Sequence, residues 1–264
     1  MKLYDMAKAP NPRRVRMFLA EKGLDVPMVP VDIPSGENLS ADYLAINPRG
    51  LVPTLQLDDG RVLDESMAIC RYFEALHPEP DLLGRTPFEQ AEVEQQQRRM
   101  EFEGLFNIAA AFRNSAEAYA DRGAAGASPA TPRIPGLTER GLLLARHWLD
   151  RLERHLEGRE FVAIDRFSVA DITAFVSIDF AKWVNLRAGA EHPNVQAYHA
   201  RIKARPSSAA GRRAAGRLII RPVQPARAML LGQRGDCRGI RDLLEAKPVR
   251  AFVLQPPAQI HVRG

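Results

Sequence analysis

Val52-Pro53 stands just ahead of an alternating apolar run, Thr54 to Leu57. A proline entering a strand of a small sheet at such a point is expected to follow a cis peptide, which turns the preceding backbone outward. The N–H and C=O of Val52 are then free to pair with an extended peptide, which adds to the sheet as a short strand would. Glu65-Ser66 opens the next apolar helical run, with Ser66 as the expected N-cap. A helix mouth offers unpaired N–H groups and partial positive charge, both suited to a carboxylate. Ser66 is placed to donate its hydroxyl to that carboxylate, and Glu65 to accept from an adjacent ammonium. Asn11-Pro12 reads as another helix start, an N-cap followed by proline at the first helical position, whose dipole favours an anion. Together these residues describe a site for a short peptide that carries a carboxylate, an ammonium and a group able to become an anion.

Other reactive side chains suit structural roles. Cys70 falls on the apolar face of its helix and is expected to be inert core. With Cys237 as the second of only two cysteines, the chain has neither a disulfide framework nor a cysteine-based zinc site, and it fits a reducing, cytoplasmic setting. His147, His155, His192 and His199 lack metal-ligand spacing with acidic or cysteine partners. Asp171 reads as a helix cap, Trp148 and Trp183 as packing, and Arg13, Arg14 and Arg16 as a solvated helix face with at most one member entering a site.

The elements that must hold these residues alternate over the first 80 positions. A strand at 2–4 precedes a helix carrying Val15, Phe18 and Leu19 at helical spacing and ending at Gly23. Val26 to Ile33 reads as a strand and Ala41 to Ile46 as a short helix. Thr54 to Leu57 and Arg61 to Leu63 flank the Asp59-Gly60 hairpin signal, and a helix follows with Ile69, Cys70, Phe73 and Leu76 on one face. This βαβαββα order is that of a thioredoxin-like domain, assigned to residues 1–80. Residues 85–208 read as an all-helical bundle. Its first helix starts at the Thr86-Pro87-Phe88-Glu89 capping box and is expected to run to about Tyr119; a second is expected from Thr138 to near Gly158, and a last one over Asn194 to Ala204. Ser168 to Asp171 is a further capping box, and the run Ile172 to Phe180 is apolar on all sides, as befits a bundle centre.

From Gly211 onward the chain holds eleven Lys+Arg and three Asp+Glu; residues 1–210 hold 26 basic and 29 acidic groups. The overall charge of +5 therefore belongs to the tail, and the body gives no electrostatic case for nucleic-acid binding. The tail, 211–264, is rich in Arg, Ala, Gly and Pro without a period, and is expected not to fold as a third domain. No apolar run is long enough for a membrane span, and the start MKLYDMAKAPNP lacks the apolar core of a secretory signal.

The segments NPRGLVPTL (47–55), DESMAI (64–69), FSVADITAF (167–175) and HPNVQAYHARIKARPS (192–207) together resemble the glutathione S-transferase family. The resemblance spans about 1–208 and implies an enzyme that binds glutathione as co-substrate, without a further cofactor, and conjugates its thiolate to small hydrophobic electrophiles. By that resemblance Val52, before Pro53, binds the cysteinyl backbone, and Glu65 and Ser66 the γ-glutamyl end. It also implies a homodimer built from the fourth strand and third helix of one subunit and the long helices of the other. Two departures matter. Ala9 stands where many members carry a Ser or Cys catalyst, and Leu51 where many carry a Lys or Gln for the glycyl carboxylate; Arg49 or Arg13 is the candidate substitute. PNPRRVRMFLAEKG looks most like a bacterial and fungal branch without a Tyr, Ser or Cys catalyst, which leaves thiol activation to the first helix mouth and to Asn11. Tyr4 lies too deep in its strand, and Asn114 and Ser115 are candidates to hold a water. Phe106, Phe112 and Tyr119 line either an electrophile pocket or the core. A non-catalytic binding or regulatory dimer is the alternative on the same fold.

Overall fold

The computed structural model describes residues 1–210, so the tail expectation lies outside the described residues. Strands β1 (Lys2–Asp5), β2 (Met28–Pro30), β3 (Thr54–Gln56) and β4 (Val62–Asp64) form one sheet in the order β2-β1-β3-β4. β1 pairs parallel with β2 (Leu3 opposite Met28) and antiparallel with β3 (Leu3 opposite Leu55), and β3 pairs antiparallel with β4 (Leu55 opposite Leu63). β2 is shorter than its apolar run suggests, because Pro27 and Pro30 cannot donate to a ladder; such a strand belongs at an edge, where it lies.

Helices α1 (Pro10–Glu21), α2 (Ala41–Ile46) and α3 (Ser66–Leu76) complete the thioredoxin-like half. Val15, Met17, Phe18 and Leu19 of α1 and Ile69, Cys70 and Phe73 of α3 are buried in one core with Leu3 and Leu55. The helical half holds α4 (Pro87–Arg99), α5 (Phe106–Ser115), α6 (Pro135–His155), α7 (Val169–Ala181), α8 (Pro193–Lys203) and α9 (Pro206–Ala210). The single long helix expected from Thr86 to Tyr119 is interrupted: residues Met100–Leu105 form a π-helical turn, and α5 stops at Ser115 before a 3-10 turn at Glu117–Tyr119. Gly104 lies in the π turn, where a Cβ would stand 2.6 Å from Trp148 Cε2, so the backbone there comes up against an indole. α6 starts earlier than Thr138, at Pro135, which takes the first helical position.

Every residue of α7 except Asp179 is buried. Ser168 donates to Asp171 Oδ2 from both its N–H and its hydroxyl, at 2.9 Å each, while Asp171 Oδ1 accepts from Val162 N (2.9 Å) and Tyr198 Oη (3.1 Å). The capping box thus ties α7 to the preceding loop and to α8. Burial pushes the Asp171 carboxyl up to about 6, against these hydrogen bonds.

The α5–α6 loop returns to the first half. Ala127 N donates to Arg49 O at 2.8 Å. Two glycines make the approach: Gly126 at φ +72, whose Cβ would overlap the Arg49 carbonyl, and Gly50 at φ +61, whose Cβ would stand 3.0 Å from Ala127 N.

Candidate functional site

The turn before β3 is built by short polar side chains. Gly50 N donates to Asn47 O (2.9 Å) and Arg49 N to Asn47 Oδ1 (3.0 Å). Tyr43 Oη (2.6 Å), Asn47 Nδ2 (3.2 Å) and Thr54 Oγ1 (2.9 Å) all donate to Leu51 O. Leu51 is thereby fixed. The next peptide, Val52-Pro53, is cis, and pairing in β3 begins only at Thr54. Neither the N–H nor the C=O of Val52 has a partner among the described residues.

The α3 mouth differs from expectation by one position. Glu65, not Ser66, is the N-cap, and Ser66 is the first helical residue. Glu65 has φ +69 and ψ 123, a backbone conformation that costs a residue with a Cβ roughly 1–3 kcal/mol and that gathers at functional sites. Its carboxylate lies 2.8 Å from Arg49 Nη1, which also reaches Asp64 at 3.1 Å. Arg49 is therefore held at the acidic side of this mouth. Ser66 is buried and its hydroxyl donates to the backbone carbonyl of Asn11 at 3.1 Å, so the α3 and α1 mouths touch.

The α1 mouth is also shifted. Ala9 is the N-cap, Pro10 takes the first helical position, and Asn11 is the second helical residue rather than the cap. Two prolines two residues apart both suit a first turn, and the earlier one sets the start. Pro10 and Pro12 have no N–H, Ala9 N donates to Met6 O (3.0 Å) and Arg13 N to Ala9 O (3.2 Å). Asn11 consequently supplies the free main-chain donor of this first turn.

The arginines that follow are not a solvated face. Arg14 is 3% exposed and Arg16 2%. Arg16 pairs with Asp5 and donates to Ala7 O (2.6 Å), bracing the loop that leads into α1. Burial pushes the Asp5 carboxyl up by more than the Arg16 charge pulls it down. Arg14 donates to Asn11 Oδ1 (3.2 Å), Thr173 Oγ1 (3.0 Å) and Glu101 Oε1 (2.8 Å). Arg13 pairs with Asp179 at 2.7 Å, and its guanidinium carbon sits 5.0 Å from the centre of the Phe175 ring. Burial alone would raise the Asp179 carboxyl, yet hydrogen bonds from His199, Lys182 and Arg13 hold it below the usual carboxylate range. Helical periodicity does not reveal these residues, because their acidic partners lie outside the helix.

Residues 9–76 match the family described as "Glutathione S-transferase, N-terminal domain" and residues 144–210 that described as "Glutathione S-transferase, C-terminal domain". The chain is 34% identical over 213 residues to "Glutathione S-transferase 2" of Saccharomyces cerevisiae, a match covering 78% of this chain and 87% of the relative. The chain belongs to the glutathione S-transferase family. The crystal structure of Gtt2 from Saccharomyces cerevisiae is 32% identical at a TM-score of 0.73, over 80% of this chain and all of that one (100%). A shorter match, 44% identical over 93 residues, joins 34% of the chain to 44% of "Maleylacetoacetate isomerase" from Pseudomonas aeruginosa. The expected fold, a thioredoxin-like half followed by a helical bundle, is the fold of this glutathione S-transferase. Membership makes it an enzyme of glutathione-dependent chemistry.

Within this transferase several of the remaining candidate side chains have partners of their own in the protein. Tyr4 donates from its hydroxyl to Gln56 Oε1 (3.2 Å). Asn114 uses both ends of its amide, donating to Ala110 O and accepting from Ile134 N at 2.8 Å each, and the Ser115 hydroxyl donates to Phe112 O (3.2 Å). Both residues thus hydrogen-bond to the backbone. Phe112 sits edge-on to Tyr119, Phe180 and Trp183 at centroid distances of 5.4, 5.6 and 5.3 Å, whereas Phe106 is 67% exposed. Among the described residues no group of three or more His, Cys, Asp or Glu could hold a metal ion, and no helix is long and apolar enough to cross a membrane.

Proposed function

We propose that this protein is a glutathione transferase in which Val52, Pro53, Glu65 and Ser66 bind glutathione and the α1 mouth activates its thiol. The cysteinyl backbone pairs with the N–H and C=O of Val52 as an added strand. The γ-glutamyl carboxylate takes the first-turn N–H groups of α3 and the Ser66 hydroxyl, and its ammonium is received by Glu65, whose charge is shared with Arg49. A free thiol has a pKa of about 8.5, and a helix N-terminus lowers it toward neutrality. Asn11 adds hydrogen bonds to the thiolate, which then attacks a small hydrophobic electrophile held by the helical half. Glutathione is a co-substrate here and no further cofactor is invoked.

The observation that carries the reading is the juxtaposition of three open sets of backbone groups: the unpaired edge at Val52, the α3 mouth, and the α1 mouth, the last two joined by the Ser66–Asn11 contact. Residues 1–80 then form the glutathione-binding unit and 85–208 the electrophile unit. Phe102 and Phe106, four residues apart and 59% and 67% exposed, are the apolar surface on which we place the homodimer contact, and the cytoplasm supplies the reduced thiol such an enzyme needs. Calorimetric titration with glutathione, followed by turnover with an aryl halide, tests the proposal. Tight binding with turnover is expected. Binding without turnover would favour a regulatory dimer, and a chain that ignores glutathione would end the reading.

A further inference from the structure

Arg14 is set deep between the two halves and uses its whole fork. Its Nε donates to Thr173 Oγ1 in α7 (3.0 Å), its Nη1 to Asn11 Oδ1 (3.2 Å) and its Nη2 to Glu101 Oε1 in the π turn (2.8 Å). With the Gln97 amide oriented as its surroundings require, Gln97 Oε1 in α4 also accepts from Nη2 at 2.7 Å. Four partners from four parts of the chain therefore fix the guanidinium plane.

Arginine has no acceptor, so the Asn11 amide atom that faces it must be oxygen. The amide nitrogen is then the outer end, and Asn11 is exposed. Pro10 and Pro12 remove the neighbouring main-chain donors, which leaves this first turn with the Asn11 main-chain N–H and the two N–H bonds of its side chain. A thiolate accepts hydrogen bonds and gives none, so the amide helps only while its nitrogen faces outward. An unheld asparagine amide turns over and offers oxygen, which repels the anion.

We propose that Arg14 is a positioning residue for thiol activation: by holding the Asn11 amide oxygen it presents the amide N–H groups to the glutathione thiolate. The π turn is part of the device, since it carries the Glu101 that neutralises and aims Arg14. This inference rests on the reading that glutathione binds with its sulfur at the α1 mouth.

The test uses the full chain, with glutathione binding by calorimetry, the bound-thiol pKa from thiolate ultraviolet absorbance, and kcat and KM for glutathione with an aryl halide. Arg14→Lys keeps the charge and loses the fork. It is expected to raise the bound-thiol pKa by about half a unit to one unit and to lower kcat below that pKa by roughly 3- to 10-fold, with the glutathione KM changed less than about twofold. In an Asn11→Ala background the same change should cost nothing more, because Arg14 acts through Asn11. Asn11→Asp is a surface isostere that still accepts from Arg14 but has no donor, and it should raise the thiol pKa more than Asn11→Ala does. It serves as the deciding variant if Arg14→Lys does not fold. A thiol pKa unmoved in Arg14→Lys, an Arg14→Lys loss that adds in full to Asn11→Ala, or an Asn11→Asp enzyme that titrates like wild type overturns the proposal while leaving glutathione binding intact. Failure of the wild type to bind glutathione removes the reading beneath it instead.

Discussion

Replacing Ser66 by alanine probes two interactions at once, and the structure separates them. In the free protein the hydroxyl donates to Asn11 O at 3.1 Å. A hydroxyl has one proton, so to donate to a bound carboxylate it must release that carbonyl. The ligand gains a charge-assisted hydrogen bond of about 1.5–3 kcal/mol and the protein gives up a neutral one of about 0.5–1.5 kcal/mol. The net loss of affinity in Ser66→Ala is then about 1–1.5 kcal/mol, a Kd for glutathione raised roughly 5- to 10-fold. Binding persists because the first-turn N–H groups of α3 are main-chain and survive the substitution. Stability to urea should fall by about 0.5–1.5 kcal/mol, since a single partly buried hydrogen bond is lost and almost no volume is vacated. Calorimetric titration against both proteins, with urea unfolding as the control, gives both numbers. A folded Ser66→Ala protein whose Kd stays within twofold of wild type refutes the exchange, and with it the role of the hydroxyl in the site.

Three further outcomes are expected. Glu65→Gly relieves the positive φ and removes the exposed Arg49 pair, so urea stability should stay level or rise by up to ~1 kcal/mol while glutathione affinity drops; a clear loss of stability contradicts the strain assignment. The Asp179 carboxyl is held below its ordinary value, so its contribution, about 1–2 kcal/mol, is complete above ~pH 5 and is lost as the pH falls. The urea-stability gap between wild type and Asp179→Asn should therefore shrink from pH 6 to pH 3, and a constant gap is the adverse result. Burial pushes the Cys70 thiol up to about 12, so peptide mapping should find Cys70 unlabelled by iodoacetamide at pH 8 in the folded protein and labelled in guanidinium.

Much of this was legible in the sequence because it is local. The proline before β3, the hairpin at Asp59-Gly60 and the Ser168–Asp171 box each sit within a few residues of what they control. The sequence marks both helix mouths but places them late, α3 by one residue and α1 by two. Pro10 and Pro12 each satisfy a first turn, and Glu65 takes a conformation that no propensity scale assigns to glutamate. The buried arginines of α1 escape the sequence for a different reason. A charged helix face is solvated by default, and only tertiary structure brings Asp5, Glu101 and Asp179 against it. The π turn leaves no mark in the apolar spacing, and the close approach of Gly104 to Trp148 within it joins residues on separate helices.

The meeting of Gly50 with Gly126 bears on how such a protein can be recombined. The two backbones lie so close that neither tolerates a side chain, and one belongs to the turn that presents Val52 while the other comes from the second half. A chimera that joins residues 1–80 to the helical half of a cousin must import a glycine at the facing loop position or rebuild the turn. In this chain the seam carries the hydrogen bond from Ala127 N to Arg49 O, which any such exchange has to keep or replace.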